Sequence, residues 1–232
     1  MAEGDMDTIV FPGPSAGSDR TLLVMLPGAH VVPSDFAEHG FLDALRAHPA
    51  YGAVDAMAVG LKPDDYLDGD VAARLHDTVI GPAMARGYAR LWLLGISLGG
   101  MGALLCARAR PGTVDGIILL APFLATRGTI AEVVAAGGLE AWEPGAPTRP
   151  DIERGLLSWL KSRPFADGGQ PRLLLGHGTT DRYADASRLL YGQVPPHRIA
   201  VTAGGHDWPT WAALWHQLLD ATPFGADRET AP

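Results

Sequence analysis

GISLGG, residues 95–100, separates two apolar runs: RLWLL (90–94) before it and MGALLCARA (101–109) after it. A short apolar run that halts at glycine and serine and resumes with helix formers reads as a buried strand turning at once into a helix. The same rhythm extends in both directions. TLLVMLPG (21–28), AVDAMAVGL (53–61), RLWLLGIS (90–97), DGIILLAP (115–122), PRLLLGHG (171–178) and RIAVTAGG (198–205) each read as a strand. Each is nearly continuous in apolar residues, the pattern of strands covered on both faces. Helical patterns fill the intervals: 34–48, 70–86, 98–108 and 207–220. Gly81-Pro82 is expected to kink or split the second of these. Strand and helix alternating along the whole chain predict an α/β fold, a doubly wound, mostly parallel sheet flanked by helices.

One interval departs from the alternation. Residues 123–169 carry no strand pattern. Thr129-Ile-Ala-Glu132 matches a capping box ahead of a short helix ending at Gly137-Gly138. EPGAPTRP (143–150) is a Pro/Gly-rich connector, and Asp151 to Lys161 reads as a second helix with Ile152, Leu156, Leu157 and Leu160 on its apolar side. The expectation is one domain spanning 1–232, with 123–169 a small helical lid or cap over the C-terminal edge of the sheet.

Charge and composition narrow the function. The chain has 18 Lys+Arg against 26 Asp+Glu, a formal net charge of -8. That balance disfavours nucleic acid and anionic membrane surfaces as partners. No apolar run approaches the roughly 18 residues of a membrane span. The segment MAEGDMDTIVF lacks the charged-then-apolar pattern of a signal peptide, so a cytoplasmic location is expected. With Cys106 the single cysteine, an internal disulfide is excluded. Neither H-x-x-x-H nor C-x-x-C spacing appears, so no metal and no cofactor are expected.

Gly95-Ile96-Ser97-Leu98-Gly99 fits G-x-S-x-G in a strand–turn–helix context. A sharp turn there lifts the serine hydroxyl over the sheet, and the new helix aims its free N–H groups at any oxyanion formed above it. A serine hydroxyl needs a base, and the base an orienting acid. The strand RLLLG leads into HGTTDRY, placing Asp181 just past a strand end. RIAVTAGG leads into HDWPTW, placing His206 just past the next. All three therefore fall on one edge of the sheet. Asp185 is expected to cap a short helix, and Asp207 adjoins His206 in sequence, where side chains diverge. His177 precedes the acid and reads as a loop-packing residue near the site; His30 is a further site candidate. His39, His48, His76, His197 and His216 are expected on polar surfaces. Cys106 and the stripe Trp208, Trp211, Trp215 read as core.

The order Ser97, Asp181, His206 over nearly the whole chain resembles the α/β-hydrolase superfamily. The ending GGHDWPTWAALW is similar to that of small serine esterases related to the esterase D and mycolyl-transferase group. The resemblance implies a serine hydrolase that cleaves a carboxylic ester or related acyl bond of a small molecule through an acyl-enzyme. It implies an oxyanion hole with the Leu98 N–H as one donor. Pro27-Gly28-Ala29 occupies the place of the family's His-Gly turn and makes the Ala29 N–H the second donor, with the His30 N–H the alternative. Thioester hydrolysis or acyl transfer, and a non-catalytic ligand-binding role on the same fold, are the competing expectations.

Overall fold

Apolar strands bury main-chain donors and acceptors that only neighbouring strands can satisfy, so the runs pair into one sheet. The computed structural model describes residues 6–13, 19–68, 70–145, 151–162, 165, 170–222 and 224. Its strands are β1 (Thr8–Phe11), β2 (Thr21–Leu26), β3 (Val54–Val59), β4 (Arg90–Ile96), β5 (Gly116–Leu120), β6 (Arg172–Gly178) and β7 (Ile199–Thr202). They lie in the order β1-β3-β2-β4-β5-β6-β7, all parallel except β1, which runs antiparallel to β3. The six expected strands are all present. The edge strand β1 was not expected: its apolar run, Ile9 to Phe11, is only three residues long and only partly covered.

The helices are α1 (Asp35–Glu38), α2 (Phe41–Ala47), α3 (Pro63–Leu67), α4 (Val71–Leu75), α5 (Gly81–Ala85), α6 (Leu98–Ala109), α7 (Arg127–Ala135), α8 (Ile152–Ser162), α9 (Ala184–Arg188) and α10 (Trp208–Leu219). Two depart from the sequence reading, and a third takes a particular form. The 34–48 pattern divides at Gly40, whose φ of 78° lies in the left-handed region. The helix through Gly81-Pro82 does not split; a π-helical turn at His76–Ile80 joins α4 to α5. That wider turn accommodates the ring and the missing N–H that would otherwise break an α-helix. The capping box at Thr129 is not formed, because α7 starts earlier, with Thr126 at its N-cap. Thr129 instead donates to Glu153, and Glu132 accepts from Trp142 and Arg154. Of the connector 143–150, residues 146–150 lie outside the described residues, as do 163–164 and 166–169.

Alternate residues on each strand feed two separate cores. On β4, Leu91 and Leu93 join Val79, Met101, Leu104 and the α8 residues Leu156, Leu157 and Leu160 on one face. Trp92, Leu94 and Ile96 join Phe41, Leu45, Trp211, Leu214 and Trp215 on the other. Cys106 is buried in the first core, and its burial pushes the thiol up to about 12. Trp215 also donates its Nε1–H to the Phe41 carbonyl at 2.9 Å, tying α10 to α2. Among the described residues, no helix is long and apolar enough to cross a membrane.

This winding positions the site. From β2 the chain moves outward to β3 and then returns to β4 on the other side of β2. The loops after β2 and β4 therefore diverge, leaving a crevice at the C-terminal ends of the strands. Among the described residues, three non-glycine residues have positive φ: His30 (64°), Ser97 (53°) and Ala121 (48°). They follow β2, β4 and β5 at that same edge, where strained backbone commonly marks function.

Candidate active site

Ser97 sits between β4 and α6 with φ 53° and ψ −115°. The turn survives because two neighbours have no side chain. A Cβ on Gly99 would overlap the Leu26 carbonyl oxygen, and one on Gly95 would overlap the Gly99 carbonyl. Hydrogen bonds hold the turn from both sides. Ser97 N–H donates to Leu120 O at 3.0 Å, while Ser97 O accepts from Phe123 N–H and Gly100 N–H, each at 2.9 Å. The strained serine is thus fixed by β5, by the segment after it and by its own helix.

Asp181 and His206 come from neighbouring loops that are stitched together. Thr180 N–H and its hydroxyl donate to Gly204 O at 3.0 and 2.8 Å, and Thr179 N–H donates to Thr202 O at 2.8 Å. The stitched loops bring the imidazole between the other two groups. Ser97 Oγ–H donates to His206 Nε2 at 3.0 Å, and His206 Nδ1–H donates to Asp181 Oδ2 at 2.9 Å. Asp181 is 7% exposed, and its other oxygen accepts the Tyr183 N–H at 2.7 Å. Asp181 follows β6 as expected, and it is buried beneath the imidazole. Tyr183 and Trp211 pack edge-on to the His206 ring, at 4.8 and 5.1 Å between centroids.

The rival residues have other partners. Asp207 is the N-cap of α10, and bonds from the Thr210 N–H and hydroxyl hold its carboxyl below the usual range. Asp185 does not cap α9; it pairs with Arg188 at 2.8 Å. His177 lies within β6 rather than in a loop, fully buried, with Nε2 2.5 Å from Tyr191 Oη. His39 is exposed and stacks on Trp208. His48 stacks on Tyr51 and is half-buried, not fully solvated.

The loop after β2 reaches the serine. A Cβ on Gly28 would lie 3.3 Å from Ser97 Cβ. Gly28 O accepts from Val31 N–H at 3.3 Å, closing a turn whose exposed tip is Ala29 and His30. Leu98 is the first residue of α6. Both expected oxyanion donors, Ala29 and Leu98, thus belong to segments that meet at Ser97. Among the described residues, no group of three or more His, Cys, Asp or Glu side chains could hold a metal.

Beside this constellation lies a cavity of about 530 Å³. Phe123 and Tyr183 line it, together with Ile130, Ala131 and Val134 of α7. Arg127 and Arg182 complete it, each guanidinium over the Tyr183 ring, at 5.6 and 5.0 Å. The sequence reading did not identify these residues. They obey no spacing rule, and the only available signal was the position of Arg182 and Tyr183 directly after Asp181. The two helices of 123–169 also behave differently. α7 walls the cavity while burying Ile130 and Val133 in the core, whereas Leu156, Leu157 and Leu160 of α8 are buried in that core beneath α6 and line no part of the cavity.

A doubly wound sheet with a serine, a histidine and an aspartate converging on its C-terminal edge is the architecture of an α/β hydrolase. Residues 43–222 match the family described as "Putative esterase", and the chain belongs to that esterase family. Its activity class is ester hydrolysis, with a small-molecule ester as substrate. Solved structures with the same fold include a monoacylglycerol lipase from Paleococcus ferrophilus, 17% identical, with a TM-score of 0.58 over 93% of this chain and 97% of that one. Another is FphF, a fluorophosphonate-binding serine hydrolase of Staphylococcus aureus, 13% identical, TM-score 0.64, covering 97% of this chain and 100% of that one. Est1E of Butyrivibrio proteoclasticus, solved with ferulic acid bound, is 12% identical, TM-score 0.57, covering 93% and 94%. No curated protein matches the chain in sequence.

Proposed function

We propose that the protein is a serine carboxylesterase that works through an acyl-enzyme on Ser97. The observation that carries this reading is the continuous hydrogen-bonded line Ser97 Oγ, His206 Nε2, His206 Nδ1, Asp181 Oδ2, at 3.0 and 2.9 Å. Both distances lie within the reach required of a nucleophile, its base and the group that orients the base. Ser97 Oγ attacks the ester carbonyl as His206 Nε2 takes its proton. The carbonyl electrons move onto oxygen, facing the N–H groups of Leu98 and Ala29. Collapse of this intermediate breaks the C–O bond, and the imidazolium protonates the departing alcohol. Water then attacks the acyl-serine with His206 as base again, and the carboxylic acid leaves as Ser97 regains its proton.

Asp181 keeps the proton on Nδ1, so that Nε2 faces the serine as an acceptor, and it stabilises the imidazolium in each half-reaction. Two oxyanion donors contribute about 10²-fold or more each. We read the chain as one domain in which α7, from the 123–169 insertion, walls the substrate cavity. The cycle uses no cofactor. The test is hydrolysis of a short-chain aryl ester series by the wild type and by Ser97→Ala. The reading expects turnover by the wild type and a loss of roughly 10³-fold or more in the variant. A Ser97→Ala protein as active as the wild type would overturn it.

A further inference from the structure

The cavity beside the catalytic constellation carries two arginines against one acid on a chain that is acidic as a whole. The chain is acidic, with a net charge of -8. Yet Arg127 and Arg182, from different segments, both lie over the Tyr183 ring. Among the described residues, neither guanidinium forms an ion pair. The acids nearby are occupied elsewhere. Asp185, the one acid lining the cavity, pairs with Arg188 at 2.8 Å. Glu132 binds Trp142 and Arg154, and Glu153 accepts from Thr126 and Thr129. Two cations held over one aromatic ring are attracted by its quadrupole but repel each other. An anion entering the cavity meets two guanidinium groups whose charge no carboxylate offsets.

Two residues that touch the reacting groups also line this cavity. Phe123, whose N–H donates to Ser97 O, and Tyr183, whose ring lies 4.8 Å from the His206 ring, both line the cavity. Ala125, Ile130, Ala131 and Val134 supply apolar lining, which suits methylene groups. Resting on the serine-esterase reading above, we propose that the preferred substrates are esters bearing a carboxylate on a short apolar chain, with Arg127 and Arg182 receiving the carboxylate while the ester lies at Ser97. These arginines are specificity residues; they touch the substrate's far end and not the reacting bond.

The experiment compares matched ester pairs, each corrected for spontaneous hydrolysis. Monophenyl glutarate against phenyl pentanoate places the carboxylate on the acyl half. 4-Acetoxybenzoate against phenyl acetate places it on the alcohol half. Exposed charge pairs are worth little singly, so two arginines should give the anionic member of one pair a roughly 3- to 10-fold advantage in kcat/KM at low salt. That advantage should shrink toward one at about 0.5 M NaCl, where screening is strong. In Arg127→Gln/Arg182→Gln the anionic-to-neutral ratio should fall to about one, while Arg127→Lys/Arg182→Lys should retain most of it. The arm that shows the preference identifies which half of the ester occupies the cavity. Ratios near one on both arms of the wild type, or a ratio unchanged in the double glutamine variant, would overturn the proposal while leaving the serine-esterase reading intact. Absence of turnover of all four esters would overturn that reading, and this inference with it.

Discussion

Asp181→Asn is a change of one atom whose effect follows from the hydrogen bonds around it. One carboxylate oxygen accepts the Tyr183 N–H at 2.7 Å and the other accepts His206 Nδ1–H at 2.9 Å. The Tyr183 N–H can only donate, so it selects the asparagine rotamer with the amide oxygen on its side. The amide NH2 then faces His206 Nδ1. Two donors cannot share that contact, so the imidazole proton shifts to Nε2 and Nδ1 becomes the acceptor. The hydrogen bond is retained and the fold with it. Nε2–H, however, now points at Ser97 Oγ and can no longer take its proton. Loss of the correct tautomer and of imidazolium stabilisation is expected to lower kcat by roughly 10³- to 10⁴-fold, about 4 to 5.5 kcal/mol of transition-state stabilisation. The assay is steady-state hydrolysis of an aryl ester at neutral pH beside a thermal melt. Asp207→Asn is the control, because Asp207 caps α10 and asparagine is an equally good cap. An Asp181→Asn protein within tenfold of the wild type, or an Asp207→Asn protein that loses activity instead, would refute the assignment of the acid.

Further outcomes concern stability and reactivity. Gly99→Ala puts a Cβ into the Leu26 carbonyl, so the end of β2 must shift; a loss of about 3 kcal/mol is expected, lowering Tm by roughly 6–12 °C in differential scanning calorimetry. Asp207→Ala removes the cap accepted by Thr210 and should cost about 1 kcal/mol in urea unfolding. Cys106, buried and with its thiol pushed up to about 12, should resist iodoacetamide at pH 8 until the protein is denatured. Glu132, held down to about 2 by Arg154 and Trp142 against an ordinary 4.5, contributes stability above pH 4.5 that is lost as pH falls toward 2. The Tm deficit of Glu132→Gln should accordingly be present at pH 7 and narrow on acidification, wherever the wild type remains folded.

The sheet was legible because its central strands are buried on both faces. A run such as LWLL needs no partner to be recognised, and its two-sided burial in separate cores is what the continuous pattern encodes. β1 escaped notice because its apolar run, Ile9 to Phe11, is too short to stand out as a strand on its own. Ser97 was legible for a local reason, since the turn leaves no room for a Cβ at residues 95 and 99 and those glycines stand in the sequence. Asp181 and His206 were legible only through topology: parallel strands deliver their following loops to one edge. The cavity was not legible. Arg127, Ile130, Tyr183 and Arg182 meet through the placement of α7 against the loop after β6, and no periodicity records a contact between segments over fifty residues apart. The insertion divided for the same reason. Both of its helices have apolar faces, and the sequence does not say that α8 turns its leucines into the core while α7 faces both the core and the cavity.

The central claim is that Ser97 carries the acyl group during turnover. Intact-mass and peptide mass spectrometry after rapid acid quenching of the protein with an activated aryl ester tests it directly. The account predicts a mass increase equal to one acyl group, located on the peptide containing Ser97 and absent in Ser97→Ala, with the adduct accumulating in His206→Ala only at a greatly reduced rate. An unmodified Ser97 in protein that is turning over ester, or an acyl group on another residue that persists in Ser97→Ala, would contradict it.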